Sequence, residues 1–218
     1  MGFIEKIKLG NVQYSLTRVS TKERIDHDNG SINIWGQISS ERCSIRYIEC
    51  QPDKEINIIV HEVLHGIVNE FNITPITNEH NQHSESLIDQ LSYLIVELLD
   101  SQGFSNFTTE SVQAANTRLS RTPNEFNVSI AGVQHHIVFG DDMYDGYLAV
   151  LNIQSNIVGV GLNRRLILEE CINTGIKLLE IGELMYENES IRSSTIKKLT
   201  FGLCAAFESI GLQLFLPD

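Results

Sequence analysis

The feature that most constrains the fold of this 218-residue chain is an order of strands and helices that occurs twice. Apolar and polar residues alternate in "EKIKLGNVQYSLTRV" around a turn at Gly10 and Asn11, which is typical of a β-hairpin. "FNVSIAGVQHHIVF" repeats the pattern, again with Val-Gln after the turn. Further alternating stretches in "GSINIWGQI", "CSIRYIEC" and "LAVLNIQSNIVGVGL" predict additional short strands. We therefore expect an internal duplication, each copy beginning with a small antiparallel sheet.

Two amphipathic helices are predicted after the strands of each copy. In "PDKEINIIVHEVLHGIVNEF" the apolar residues recur at helical spacing after Pro52. Ser84 and Gly103 are suited to begin and end a second helix. "RRLILEECINTGIKLLEIGELMYE" and "SSTIKKLTFGLCAAFESIGLQLF" have matching apolar patterns. The expected fold is α+β with two similar lobes, residues 1–105 and 126–218, each a small antiparallel sheet followed by two packed helices. A polar linker at 106–125 is expected to join them.

The first predicted helix contains the HExxH spacing in "VHEVLHGIVNE". His61 and His65 are four residues apart, so they lie on one helical face and can direct both imidazoles at one cation. Glu62 can act as the base for a water molecule held there, which is the arrangement of a zinc hydrolase. The neighbouring residues are apolar, and ionisable groups beside a buried stripe are unfavourable unless they are paired or bind a metal. The sequence therefore favours a zinc site over two coincidental histidines.

A catalytic zinc ion usually has three protein ligands, so a third must come from another element. The first turn of the second helix should pack beside the HExxH helix, which brings Glu85 and Asp89 forward on one face. We favour Glu85, because a carboxylate there is also stabilised by the helix N-terminus. Asp89, His83 and His80 remain alternatives, and Asp89 could instead orient one of the histidines.

The second copy is expected to lack these metal ligands. When Ile172 is superposed on Val60, Asn173, Thr174 and Lys177 occupy the positions of the two histidines and their glutamate. A similar superposition of the following helices places Ser193 opposite the third ligand. We therefore expect one lobe with a chemical function and one lobe that is structural or binds a partner.

Composition limits the class of protein. The chain has 28 acidic and 16 basic residues, a formal net charge of -12, and no Lys/Arg stripe, which disfavours nucleic-acid binding. Four isolated cysteines favour free thiols in a reducing compartment. No secretion signal or membrane-spanning run is recognisable, so we expect a cytoplasmic protein without a membrane partner.

The hairpin "KIKLGNVQYSLTRV", followed by "INIIVHEVLHGIVNEF" and "ESLIDQLSYLIVELLD", resembles the small zincin-like proteins encoded by phages and prophages of Gram-positive bacteria. These in turn look like the ImmA/IrrE group of metallopeptidases. The resemblance covers about residues 6 to 102, and the second half resembles the group in layout only. It implies HExxH on one helix and an acidic ligand on the next, which Glu85 matches, and it implies cleavage of regulatory or host proteins.

Two functions are expected from these observations. The first is a zinc-dependent peptidase with His61, His65 and Glu85 as metal ligands and Glu62 as general base. The second is a catalytically silent binding or inhibitor protein, for example a phage counter-defence factor, that contacts a host protein through its acidic surface.

Overall fold

A computed structural model describes most of the chain. The described residues are 2–20, 35–73, 84–120, 125–139, 149–152, 157–160, 164–181 and 188–214. Among them, no helix is both long and apolar enough to cross a membrane. The protein has an α+β fold with five helices and two small sheets in this described part.

The first half contains four strands followed by two helices. They are β1 (Lys6–Leu9), β2 (Val12–Val19), β3 (Gly36–Ser39), β4 (Ser44–Ile48), α1 (Pro52–Glu70) and α2 (Glu85–Ser101). The hairpin was predicted correctly: Gly10 adopts a φ of +58°, in the left-handed region that glycine tolerates well, and connects β1 to β2. Ser84 precedes α2 as predicted, although its side chain forms no capping hydrogen bond.

The second half repeats this order after one additional helix. Its elements are α3 (Thr109–Ser120), β5 (Glu125–Ile130), β6 (Val133–Phe139), β7 (Ala149–Asn152), β8 (Ile157–Val160), α4 (Arg164–Leu178) and α5 (Glu189–Ser209). Helix α4 ends earlier than its sequence predicts. Glu180 adopts a φ of +47°, and the Ile181 N–H donates to the carbonyl of Ile176, which closes the helix.

Both sheets are mixed, so the prediction of purely antiparallel sheets was wrong. The strand orders are β1-β2-β4-β3 and β5-β6-β8-β7. The outer pairs are antiparallel, but the central pairs, β2 with β4 and β6 with β8, are parallel. Alternation of apolar and polar residues determines which face of a strand is buried, but not the direction of its neighbour. Strand β3 follows β2 in the chain but lies at the edge of the sheet, beyond β4. Strands β2 and β4 are therefore neighbours, and they run parallel.

The two halves interlock through their helices. Helix α2 packs on α1 of its own half and also on β5 of the other, and α5 packs on α4 and also on β1. The Lys8 N–H donates to Ser209 Oγ at 2.8 Å, and the Ser129 N–H donates to Ser101 Oγ at 2.9 Å. In the first bond a strand of the first half donates to a helix of the second half, and in the other bond a strand of the second half donates to a helix of the first half. As a result, one contiguous apolar core includes residues of both halves.

Helix α3 occupies most of the segment that was interpreted as a linker. The Ser111 N–H donates to Thr108 Oγ1 at 3.2 Å, which satisfies a free donor in the first turn of α3. Val112 and Ala115 are buried three residues apart on one face. The segment before α3 also pairs with the chain's beginning, where the Ile4 N–H donates to the carbonyl of Phe107.

Candidate metal centre

The HExxH residues lie in the middle of α1, on the part of the helix that packs against the first sheet. A Cβ atom on Gly66 would lie 2.2 Å from Leu9 Cδ1, so the absence of a side chain lets α1 approach β1 closely. His61 and His65 project from the neighbouring face, where their Nε2 atoms are 3.0 Å apart. Both side chains are largely buried, with exposed fractions of 19% and 11%. The helix therefore holds the two ring nitrogens close together at the edge of the core.

Glu85, in the first turn of α2, is the carboxylate that faces both rings. Its Oε2 lies 3.3 Å from His61 Nε2 and 3.4 Å from His65 Nε2. Ligands at about 2.0–2.2 Å from a tetrahedral metal ion are separated from one another by about 3.3–3.6 Å. The three donor atoms thus have separations that suit a tetrahedral metal site with one position left open. In the described part of the chain, these residues form a group that could hold a metal ion.

Asp89 lies one turn further along α2 and contacts the outer side of a histidine ring. Its Oδ1 is 2.9 Å from His61 Nδ1. An Nδ1–H group that donates to this carboxylate leaves the lone pair of His61 on Nε2, the atom that faces Glu85. Of the two carboxylates considered from the sequence, Glu85 therefore faces the Nε2 atoms of both histidines, and Asp89 orients the ring of His61.

Glu62 is buried between α1 and the edge strand β3. Its exposed fraction is 7%. A Cβ atom on Gly36 would lie 2.7 Å from Glu62 Oε1, so only glycine lets the strand lie this close. Burial raises the pKa of Glu62 to about 8, and the negative charge of Glu85 contributes to this rise, while a hydrogen bond from the Ile38 backbone opposes it. A cation bound nearby would favour the ionised carboxylate.

Strand β3 makes two contacts with Glu62 that were not predicted: Gly36 lies against its carboxylate, and the Ile38 N–H donates to it. The Ile48 N–H donates to the carbonyl of Trp35, so the alternation of an antiparallel pair directs the Ile38 N–H away from β4. That N–H reaches the carboxylate of Glu62. The isolated glycine in "INIWGQI" was the available signal, because a glycine inside a strand often marks a close approach. His80 and His83, the histidine alternatives for a third ligand, lie outside the described residues.

Helix α4 has a different residue register from the one that the sequence suggested, whereas the superposition that places Ser193 opposite Glu85 agrees with the structure. Asn72 and Glu180 have φ values of +48° and +47° just after α1 and α4, and each is followed by an isoleucine whose N–H closes the helix. Gly202 of α5 lies against Ile67 of α1, just as Gly175 of α4 lies against Leu94 of α2.

The same difference in residue number relates each of these positions in or after α1 and α2 to its counterpart in or after α4 and α5. It pairs Asn72 with Glu180, Ile67 with Gly175 and Leu94 with Gly202. Val60 is then paired with Leu168, so the superposition of Ile172 on Val60 was wrong by one helical turn. Apolar residues recur about every four positions on a helix, so a shift of four preserves the pattern.

In the corrected register, Glu169, Glu170 and Asn173 take the places of His61, Glu62 and His65. They line a cavity of about 210 Å³ together with Ser193, which takes the place of Glu85. Burial raises the pKa of Glu170, as it does for Glu62. The second cavity thus keeps a buried glutamate but has no histidine among its described lining residues.

Comparison with profiles of known protein families, with curated proteins and with solved structures finds no match to this chain. The functional interpretation therefore depends on the geometry of the site.

Proposed function

We propose that the protein is a zinc-dependent peptidase with its metal centre at His61, His65 and Glu85. The observation that carries this proposal is the set of donor separations, 3.0, 3.3 and 3.4 Å, which lie within a few tenths of an ångström of those of three ligands on one tetrahedral ion. Two neutral imidazoles and one carboxylate are the ligands of many zinc hydrolases. Zinc would lower the pKa of a water molecule and polarise a substrate carbonyl.

Each neighbouring residue has a role in this reaction. Glu62 would take the proton of the attacking water and pass it to the amine that leaves when the peptide bond breaks. Its burial against Gly36 keeps bulk water from the carboxylate and restricts its rotation. Asp89 would hold the ring of His61 in the tautomer that binds a metal.

The edge strand β3 is suited to position a peptide substrate. It is one of the two outer strands of the first sheet and lies directly over Glu62. The backbone groups of Gly36 and Ile38 point away from β4, and Glu62 uses the Ile38 N–H. An extended peptide could pair with the remaining groups by adding a strand to the sheet. The substrate class that fits is an extended segment of a regulatory or host protein.

Metal analysis combined with two test substitutions and one control substitution tests the proposal. Purified protein should contain, or take up, one equivalent of zinc, and His65→Ala should lose it. His136→Ala, a substitution on β6, is the matched control and should retain the metal. Glu62→Gln should keep the zinc and lose turnover of a protein substrate. Wild-type protein that takes up no zinc would exclude the peptidase.

A second function is favoured by the burial of Glu62. With an exposed fraction of 7%, its carboxylate is covered by β3 and is poorly placed to meet a substrate. We infer that, if β3 does not move, the protein acts as a binding or inhibitor protein in which zinc is structural. In that case Glu62→Gln would keep the full biological effect, whereas His65→Ala would lose it through reduced stability.

An internal duplication accounts for the second half. Its support is the equal order of strands in the two sheets, the constant offset between equivalent helix positions and the reciprocal serine bonds. We place the first half near the ImmA/IrrE group on the basis of its HExxH helix and acidic third ligand. In this proposal the second half has kept the scaffold and lost the metal ligands.

A further inference from the structure

Helix α5 borders an open groove whose chemistry differs from that of this acidic chain. The groove has a volume of about 500 Å³ and lies between α5 and the end of α1. Its described lining consists of three serines, two lysines and two phenylalanines, and none of these seven residues is acidic.

Two phenylalanine rings form the apolar end of the groove. Phe71 and Phe201 meet edge to face, with ring centroids 5.6 Å apart. Phe201 is 44% exposed although it is a large apolar residue. The guanidinium of Arg165 lies 4.9 Å from the centre of its ring. The groove therefore offers an apolar surface next to positive charge.

Positive charge also predominates along the groove. Lys197 and Lys198 are both exposed, and the Lys198 ammonium donates to the carbonyl of Asn72 at 3.3 Å, which leaves further N–H groups for a ligand. Glu169 interacts with Lys197 and Arg165, but it does not line the groove. The charged side chains in the described lining are thus both cationic.

The equivalent face of α2 carries acidic side chains. With the offset that relates the two halves, Ser193 and Lys197 take the places of Glu85 and Asp89. On this helical face the first half thus has two carboxylates, whereas the second half has a hydroxyl and an ammonium group.

The groove is long enough for an extended chain. Its α5 residues run from Ser190 to Phe201, which spans about 16 Å at 1.5 Å per residue. A peptide in extended conformation covers this length with about five residues. We propose that the groove binds an acidic peptide segment of a partner protein, with its carboxylates on the lysines and one aromatic or aliphatic side chain on the two phenylalanine rings.

Fluorescence anisotropy with a labelled synthetic peptide tests this proposal on the full chain. The probe contains consecutive aspartates and glutamates followed by a phenylalanine, and a second probe has alanine in place of the phenylalanine. The double variant Lys197→Gln/Lys198→Gln should bind the first probe about tenfold more weakly, because two charge contacts are lost. The matched control is Lys6→Gln/Lys8→Gln, which removes the same charge from exposed positions on β1.

Several results would decide the question. Weakening by the α5 variant but not by the β1 control, together with weaker binding of the alanine probe, supports the groove. Equal weakening by both double variants would indicate nonspecific charge attraction and overturn the proposal. No binding by the wild type at low ionic strength would also overturn it, as would displacement of the probe by an equal concentration of inorganic phosphate, which would show a small-anion site instead.

Discussion

Replacing Glu62 with glutamine should stabilise the metal-free protein at neutral pH. Folding raises the pKa of this carboxyl from 4.5 to about 8, chiefly because the group is buried. The folded state therefore holds the proton more tightly than the unfolded state does. As the pH rises, ionisation of Glu62 therefore lowers the free energy of unfolding. This decrease is absent at low pH, begins as the pH rises through 4.5 and is complete above about 8.

The size of this effect follows from the two pKa values. At pH 7 the folded carboxyl is mostly protonated, whereas the unfolded one is ionised. Protonating a group of pKa 4.5 at pH 7 costs about 3 kcal/mol, at 1.36 kcal/mol for each pH unit. A glutamine has nearly the same shape and needs no proton, so Glu62→Gln should recover about 3 kcal/mol at pH 7 and little near pH 4.5.

Urea denaturation with a chelator present measures this difference. The free energies of unfolding of wild type and Glu62→Gln are compared between pH 5 and pH 8. Glu41→Gln, the same substitution at an exposed glutamate, is the control and should follow the wild type. Parallel pH profiles for wild type and Glu62→Gln would refute the reasoning, since they would mean that Glu62 ionises equally easily in the folded and unfolded states.

Three further predictions concern neighbouring positions. Gly36→Ala should lower the free energy of unfolding by about 1–3 kcal/mol in urea titrations, because the new Cβ would lie 2.7 Å from Glu62 Oε1; an unchanged midpoint would mean that β3 can shift freely. Asp89→Ala should weaken zinc binding about 10- to 100-fold in competition with a chromophoric chelator, by releasing the ring of His61. Thr174→Val should stabilise the protein by about 1 kcal/mol in thermal unfolding, because the buried hydroxyl has no hydrogen-bond partner among the described residues.

The helices and hairpins could be predicted because their signals are local. Apolar spacing and Pro52 predicted α1, and the Gly10 turn predicted the first hairpin. The three candidate metal ligands could be predicted for the same reason: His61 and His65 share a helical face, and Glu85 begins the next helix. Their convergence required only that two consecutive helices pack side by side.

The remaining features depend on contacts between distant parts of the chain. The direction of β4 beside β2, and the packing of α5 on β1, have no local signature. Helix α3 was missed because it buries only a few apolar residues, among them Val112 and Ala115. The register of α4 was misread because the apolar pattern of a helix looks nearly the same after a shift of four residues.

The reciprocal packing of helices on sheets affects how the chain folds during synthesis. Strand β1 ends at Leu9, but its partner helix begins only at Glu189, close to the other end of the sequence. At 5–20 residues per second, the ribosome needs about 10–40 s to produce that helix. Over this interval one side of the nascent hairpin is without its final cover, and a chaperone that shields it would raise the yield of native protein. A premature stop codon shortly before α5 would therefore uncover part of the N-terminal half as well as part of the C-terminal one.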